Sequence, residues 1–433
     1  MAPSKAVAVV KAPKTPKPKK EEPVPPTIHE IQAAKLTGIK SGNSKLVDLM
    51  MFADSFPTMD LKTVPSGFAI LDRALVPDKP GVPLGRHIEV ASDQPNIGKS
   101  TLTMQIVAAF QLLGLQACLC EPEATHTEVF LNSLGVVTRF DPKRPWIYPL
   151  RIMRPEWDKT SDESILHSAE AYLDAMGHAV DIFDIIVVDS AAALVGKADW
   201  DKDAEESPRV GGISKLLHGW FRKHLLPKAS VFWVNQLLDK VGGFSPGGGT
   251  PKATTGGKAI PFYSSVRLFG SRIEAIKAPV DTDDPIGFWV QWELKKNKLG
   301  PQDRKIKLPF LHGEGYSVPY ALFDFAVSKK VIGQGGAWYT YPPTTGAGKD
   351  QVIPVNAYGF LRAQGRVNFY EAMRTRPDTC EAIKAVIRGE DPEDLRPLAT
   401  KEQVAELIDQ VTATVAAKRE ELGLPASLMD AVA

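Results

Sequence analysis

The stretch HIEVASDQPNIGKSTL, residues 87–102, decides how the rest of the chain is read. It opens as a short apolar strand from His87 to Ala91, passes through a polar loop, and continues as a helical run from Ser100 to Leu113 that Gly114 closes. Strand, loop and helix in that order, with Gly98-Lys99-Ser100 at the helix start, is the setting of a phosphate-binding loop. Such a loop aims the backbone amides of Asn96, Ile97, Gly98, Lys99 and Ser100 at one point, where the positive end of the helix dipole adds its field. Thr101, next in the run, is counted with the same nucleotide contacts. Lys99 is expected to reach the β- and γ-phosphates of ATP, and the Ser100 hydroxyl to ligate Mg2+. One position departs from the pattern G-x-x-x-x-G-K-S/T, which wants glycine at residue 93 and finds Asp93. Aspartate tolerates left-handed backbone better than most residues, but its carboxylate would lie close to a triphosphate.

Working outward, further apolar runs at Leu115–Cys120, Asp184–Asp189 and Ser230–Asn235 read as buried strands. Helical stretches separate them: Ser164–Met176, closed by Gly177, and Ile213–Leu226, closed by Pro227. This alternation predicts an α/β fold with a mostly parallel sheet covered on both faces. Past Gly256 the chain turns strand-rich at Tyr263–Phe269, Gly287–Leu294 and Lys305–Phe310, which suits antiparallel strands added to the sheet. FDIIVVDSAAAL (183–194) places Asp189 at a strand end, where it would hold Mg2+ through water. Leu115–Cys120 is followed by Glu121, Pro122 and Glu123 at the sheet edge where ligands collect, and either glutamate could orient a water for hydrolysis. Spacing does not choose between them.

The run WVNQLLDKVGGFSPGGGTPKATTGGKAIPFYSSVRL begins at Trp233 as a strand and becomes a glycine-rich stretch with isolated apolar residues Val241 and Phe244. A loop of that length and composition is either a functional segment ordered by a ligand or a plain disordered insertion. Apolar tips on a flexible backbone suit wedging between bases, and backbone amides suit phosphates.

Composition bounds these readings. With 433 residues, 43% hydrophobic and 24% charged, the chain fits a folded soluble protein of two or three domains. No apolar run is long enough to span a membrane and the N-terminus has no signal-peptide core, so a cytoplasmic protein with no membrane role is expected. The net charge of +1 advertises no polyanion partner for the whole molecule. The basic excess lies in residues 1–27, where six lysines and seven prolines face two glutamates. That segment reads as a disordered tail, either a non-specific DNA-binding arm or a solubiliser. Residues 28–60 suggest short helices, 61–320 the α/β core, and 321–433 a small, mainly helical domain whose last helix starts at a Thr400–Gln403 capping box. Cys118, Cys120 and Cys380 read as reduced structural thiols, the eight scattered histidines argue against a metal cluster, and Trp200, Trp220, Trp233, Trp289 and Trp292 read as packing residues.

The segments SGFAILDRAL (66–75), the loop ending GKST, FDIIVVDS (183–190), VNQLLDKVG, TTGGKAIPFYSSVRL, KKNKLG (295–300), LHGEG (311–315) and GAWYTY (336–341) resemble, in order and near spacing, bacterial and phage RecA recombinases over roughly residues 45–390. The resemblance implies a DNA-dependent ATPase that forms a homo-oligomeric helical filament on single-stranded DNA and promotes pairing and strand exchange with double-stranded DNA. It implies that Glu123 is the catalytic glutamate, that Gln236 senses the γ-phosphate, and that Lys296 and Lys298 reach a neighbour's ATP site. Val241, Gly242, Phe244, Gly256 and Gly257 fall in what resembles the second DNA-binding loop, and Asp199–Gly211 resembles the first in position. The helices of 28–60 resemble a segment that docks onto the adjacent subunit. Two other readings stay open: a ring-forming DNA helicase of the same core fold, and a DNA-binding accessory protein with a degenerate ATP site, which Asp93 keeps in play.

Overall fold

In the computed structural model, which describes residues 61–155, 168–200, 211–239, 252–277, 284–343 and 361–388, the chain alternates strands and helices before turning to antiparallel strands. A short pair, β1 (Thr63–Val64) and β2 (Val82–Pro83), brackets helix α1 (Ala69–Leu75). Strand β3 (His87–Ser92) leads into α2 (Lys99–Leu112), β4 (Ala117–Cys120) into α3 (Glu128–Ser133), and β5 (Arg151–Met153) precedes α4 (Ala169–Ala179). Then come β6 (Ile185–Val188), α5 (Lys197–Trp200), α6 (Gly212–Lys223), β7 (Ser230–Asp239), β8 (Lys252–Thr254) and α7 (Ala259–Tyr263). Strands β9 (Val266–Lys277), β10 (Pro285–Asn297), β11 (Lys305–Leu311) and β12 (Gly315–Tyr316) follow. The last part holds α8 (Val318–Ser328), β13 (Gly333–Gly335), β14 (Trp338–Tyr341), β15 (Leu361–Gln364), α9 (Arg366–Arg374) and α10 (Pro377–Arg388).

The main sheet runs β12-β11-β10-β9-β3-β7-β6-β4-β5, with β8 added to β7. Strands from β9 to β5 along this order are parallel, and β10, β11 and β12 extend the sheet antiparallel. Alternation along β6 separates two cores. Ile185 and Val187 join α1 and α2 on one face, and Ile186 and Val188 join α4 and α6 on the other. Both faces are therefore apolar, which is why these strands read as continuous hydrophobic runs. Helix α2 is buried over most of its surface, and its one buried amide is fully used: Gln111 donates to the carbonyls of Val137 and Tyr148 and accepts from the Val137 amide.

The strands and helices read from the core sequence are present in the parallel part of the sheet, while several boundaries and some element types differ. Gly177 was expected to end a helix, yet α4 runs through it to Ala179, because Gly177 is where the helix approaches the His224 and Trp220 rings; a Cβ there would meet His224 Nε2 at 3.3 Å. Tyr263 closes α7 instead of opening a strand, and β7 continues four residues past Asn235 to pair with β8. The described part of 321–433 adds a three-stranded antiparallel sheet, β13-β14-β15, to the expected helices, around a core of Phe323, Tyr339, Phe369 and Met373. Cys118, Cys120 and Cys380 are buried free thiols, and Trp220, Trp233, Trp289 and Trp292 are buried packing residues. Among the described residues no helix is long and apolar enough to cross a membrane. The tail, the 28–60 segment, the Thr400 helix, most of Asp199–Gly211, and Val241, Gly242 and Phe244 lie outside the described residues.

Candidate functional site

The loop between β3 and α2 sits at the carboxyl edge of the parallel strands. Asn96 and Gly98 both have left-handed backbone, with φ of 57° and 84°. Only glycine fits at 98, where a Cβ would come within 2.6 Å of the Phe310 ring and 3.0 Å of the Tyr316 ring. Three contacts fix the loop: the Tyr316 hydroxyl donates to the Ile97 carbonyl at 2.6 Å, the Gln94 amide donates to Ser92 Oγ at 2.9 Å, and the Arg272 amide donates to Gln94 Oε1 at 2.7 Å. The first-turn amides of α2 have no partner inside the helix, so the held loop presents donors to an anion. Burial lowers the Lys99 ammonium below its ordinary range, opposed by the carboxylates of Asp189, Glu123 and Asp93.

Pairing of β4 with β6 brings Glu121 and Glu123 beside Asp189, whose amide donates to the Cys120 carbonyl at 2.9 Å. The two glutamates then differ. Glu121 is fully buried: it accepts from the His126 amide and lies 2.7 Å from His126 Nδ1 and 3.0 Å from an Arg154 guanidinium nitrogen. Burial would raise its carboxyl, but His126 and Arg154 outweigh that and hold it below the usual range. Glu123 is exposed and accepts from the Ser190 hydroxyl at 2.5 Å, one residue beyond Asp189. Asp189 Oδ2 is buried and makes no hydrogen bond, with the His126 ring 3.4 Å away, so it keeps capacity for a cation or its water, and Ser100 lies in the first turn of α2 on the same edge.

His126 was not singled out in the sequence. Its ring is buried between Glu121 and Asp189, with Nε2 3.4 Å from Asp189 Oδ2. Burial works against its charge, yet the two carboxylates win and raise the imidazole to about 9. Its position five residues after Glu121 was visible in sequence; its contact with Asp189 depends on the β4–β6 pairing.

Gln236 is exposed at the same edge, register-paired with Ser92 immediately before the phosphate loop. From there β7 and β8 form a ribbon beyond the sheet edge, pairing Leu237 with Thr254 and Leu238 with Ala253. Lys252, at the start of β8, forms an ion pair with Asp93. Gly256 and Gly257 have left-handed backbone, with φ of 85° and 69°, and an added Cβ would run into Leu217 and Ser214 of α6.

Lys296 and Lys298 lie elsewhere. Lys296 is level with Arg267 on β9, itself level with Glu89 in mid-β3, and the Lys298 amide donates to Ser265. Both are therefore toward the amino edge of the parallel strands, away from this chain's own phosphate loop. The Lys296 ammonium donates to the Pro261 and Phe262 carbonyls at 2.7 and 2.9 Å, and burial, with Lys298 and Arg267 nearby, lowers it to about 8. Between the two edges, Glu89 is fully buried, paired with Arg267 at 2.5 Å and accepting from Asn235 Nδ2 at 3.0 Å.

The family model for the RecA N-terminal domain matches residues 35–317. Protein RecA of Heliobacterium modesticaldum is 30% identical over 345 residues, 79% of this chain and 87% of its own. Protein RecA of Xanthomonas campestris pv. campestris is 33% identical over 313 residues, 71% of this chain and 82% of its own. A crystal structure of the RadB recombinase overlaps 56% of this chain and 94% of its own at 16% identity, with a TM-score of 0.37, too low to bear on the fold.

Proposed function

Because this chain belongs to the RecA family, we propose that it is a DNA-dependent ATPase that assembles as a helical filament on single-stranded DNA and promotes homologous pairing and strand exchange. The observation that carries the reading is the shared sheet edge: Gln236, register-paired with Ser92 at the phosphate loop, is also the residue from which the β7–β8 ribbon departs. A change felt at Gln236 on γ-phosphate binding is thereby passed along one strand to the glycine-rich segment.

Lys99 and the α2 amides bind the triphosphate. Glu123, held by Ser190 and open to solvent, orients and deprotonates the attacking water, while Glu121 is tied to His126 and Arg154 and serves to hold the edge together. Ser100 and Asp189 are the residues that would hold a divalent cation, which supplies positive charge to the phosphate oxygens. Lys296 and Lys298 act on a neighbouring subunit's nucleotide; their place toward the opposite edge from their own loop supports this.

The test is ATP turnover with and without single-stranded DNA, together with electron microscopy of the protein with ATP and DNA. Stimulated turnover and extended filaments are expected. Closed rings would favour a helicase-like motor, and absence of turnover an accessory DNA-binding protein.

A further inference from the structure

The phosphate-loop pattern reserves its first position for glycine, and this chain has Asp93 there, with a partner 159 residues away. That partner, Lys252, begins β8 and is register-paired with Asp239 on the ribbon. Both side chains are partly exposed, at 44% for Lys252 and 34% for Asp93, so the pair adds little to folding stability. Its consequence is electrostatic. Asp93 is close enough to Lys99 that each alters the other's proton affinity, and the hydrogen bond from Lys252 is the chief influence holding the Asp93 carboxyl low. Without Lys252, an uncompensated carboxylate would compete with phosphate for Lys99 and repel the triphosphate.

We propose that Lys252 is a positioning residue of the nucleotide site: by pairing with Asp93 it makes an aspartate tolerable at the head of the phosphate loop, and it makes polyphosphate affinity depend on β8 lying against that loop. The proposal rests on the nucleotide-binding reading above. It links the two sites by a contact separate from Gln236, and the linkage is reciprocal, so bound ATP favours the docked ribbon as much as the docked ribbon favours ATP.

The test is equilibrium binding of fluorescently labelled ATP and ADP, with Mg2+, to the 433-residue chain and four variants. Lys252→Ala should weaken ATP binding about tenfold, the scale of one added charge several ångströms away at a protein surface. ADP should lose less, and both losses should shrink in high salt. Lys252→Arg should retain binding. Asp93→Gly alone should bind at least as well as the parent, and Asp93→Gly combined with Lys252→Ala should recover what Lys252→Ala lost, which a purely structural role for Lys252 would not produce. If the parent binds ATP and Lys252→Ala binds equally well, or if Asp93→Gly fails to rescue it, the proposal is overturned while the nucleotide site stands. A parent chain that binds no nucleotide overturns the underlying reading as well.

Discussion

Replacing Arg267 with methionine tests whether the ion pair under the phosphate-loop strand holds three strands in register. Glu89 lies in mid-β3 with no exposed surface, and its carboxylate is compensated by Arg267 from β9 and Asn235 from β7. Removing one member of a buried pair costs about 3–5 kcal/mol, chiefly because the other charge is left without compensation. Two features of the site reduce that figure. Arg267 keeps 19% of its side chain exposed, so water already shares its charge. Lys296 lies close enough to feel Glu89 and offsets part of the loss. The expected cost of Arg267→Met is therefore about 2–4 kcal/mol. Glu89→Gln keeps an oxygen for Asn235 and removes the charge, so the double variant Glu89→Gln/Arg267→Met should recover most of it, to within about 1 kcal/mol of the parent. Urea unfolding of the nucleotide-free chain, followed by the fluorescence of buried tryptophans such as Trp233 and Trp292, measures all four corners of the cycle. A loss below about 1 kcal/mol for Arg267→Met, or a double variant no more stable than that single one, would refute the reasoning.

Lys99→Ala should abolish nucleotide-dependent DNA binding, since the γ-phosphate charge loses its direct counterpart; unchanged ATP turnover would remove the phosphate-loop assignment. Glu123→Gln should bind ATP and lose about 10²–10⁴-fold in turnover, with filaments that persist on DNA, whereas Glu121→Gln giving that phenotype would reverse the roles assigned to the two glutamates. His87 is buried, donating from Nε2 to the His224 carbonyl at 2.7 Å and accepting from the Trp233 indole at 3.4 Å, and burial lowers it to about 4. The unfolded chain then takes up a proton first, so the contribution of His87 is complete above pH 6.5 and is lost toward pH 4, at about 3 kcal/mol in full. Asp72, raised to about 6 by burial, has the opposite slope, its contribution falling as pH rises from 3.8 to 6. Hence Asp72→Asn should steepen the acid loss of stability and His87→Gln should flatten or invert it; urea midpoints that move together in both variants would contradict these assignments.

What the sequence determined by itself was contiguous: the strand, loop and helix around Lys99, the buried run ending in Asp189, the glutamates after Cys120, and a parallel sheet apolar on both faces. Such features are legible because periodicity reports burial along one element, and a phosphate loop is built within about ten consecutive residues. Tertiary structure decided what pairs across the sheet. Gly177 lies inside α4 where the His224 ring, just past the end of α6, comes close, a contact that no local pattern encodes. Glu121 and Glu123 are two residues apart and chemically alike, and they separate into a buried, paired carboxylate and an exposed one only because His126, Arg154 and Ser190 converge from different segments. Asp93 looked like a defect in the motif until the β7–β8 register carried Lys252 back to it. In each case the deciding quantity is a distance between charges or rings set by strand order, and strand order depends on which faces must be buried together, a property of the whole fold that one-dimensional spacing does not contain.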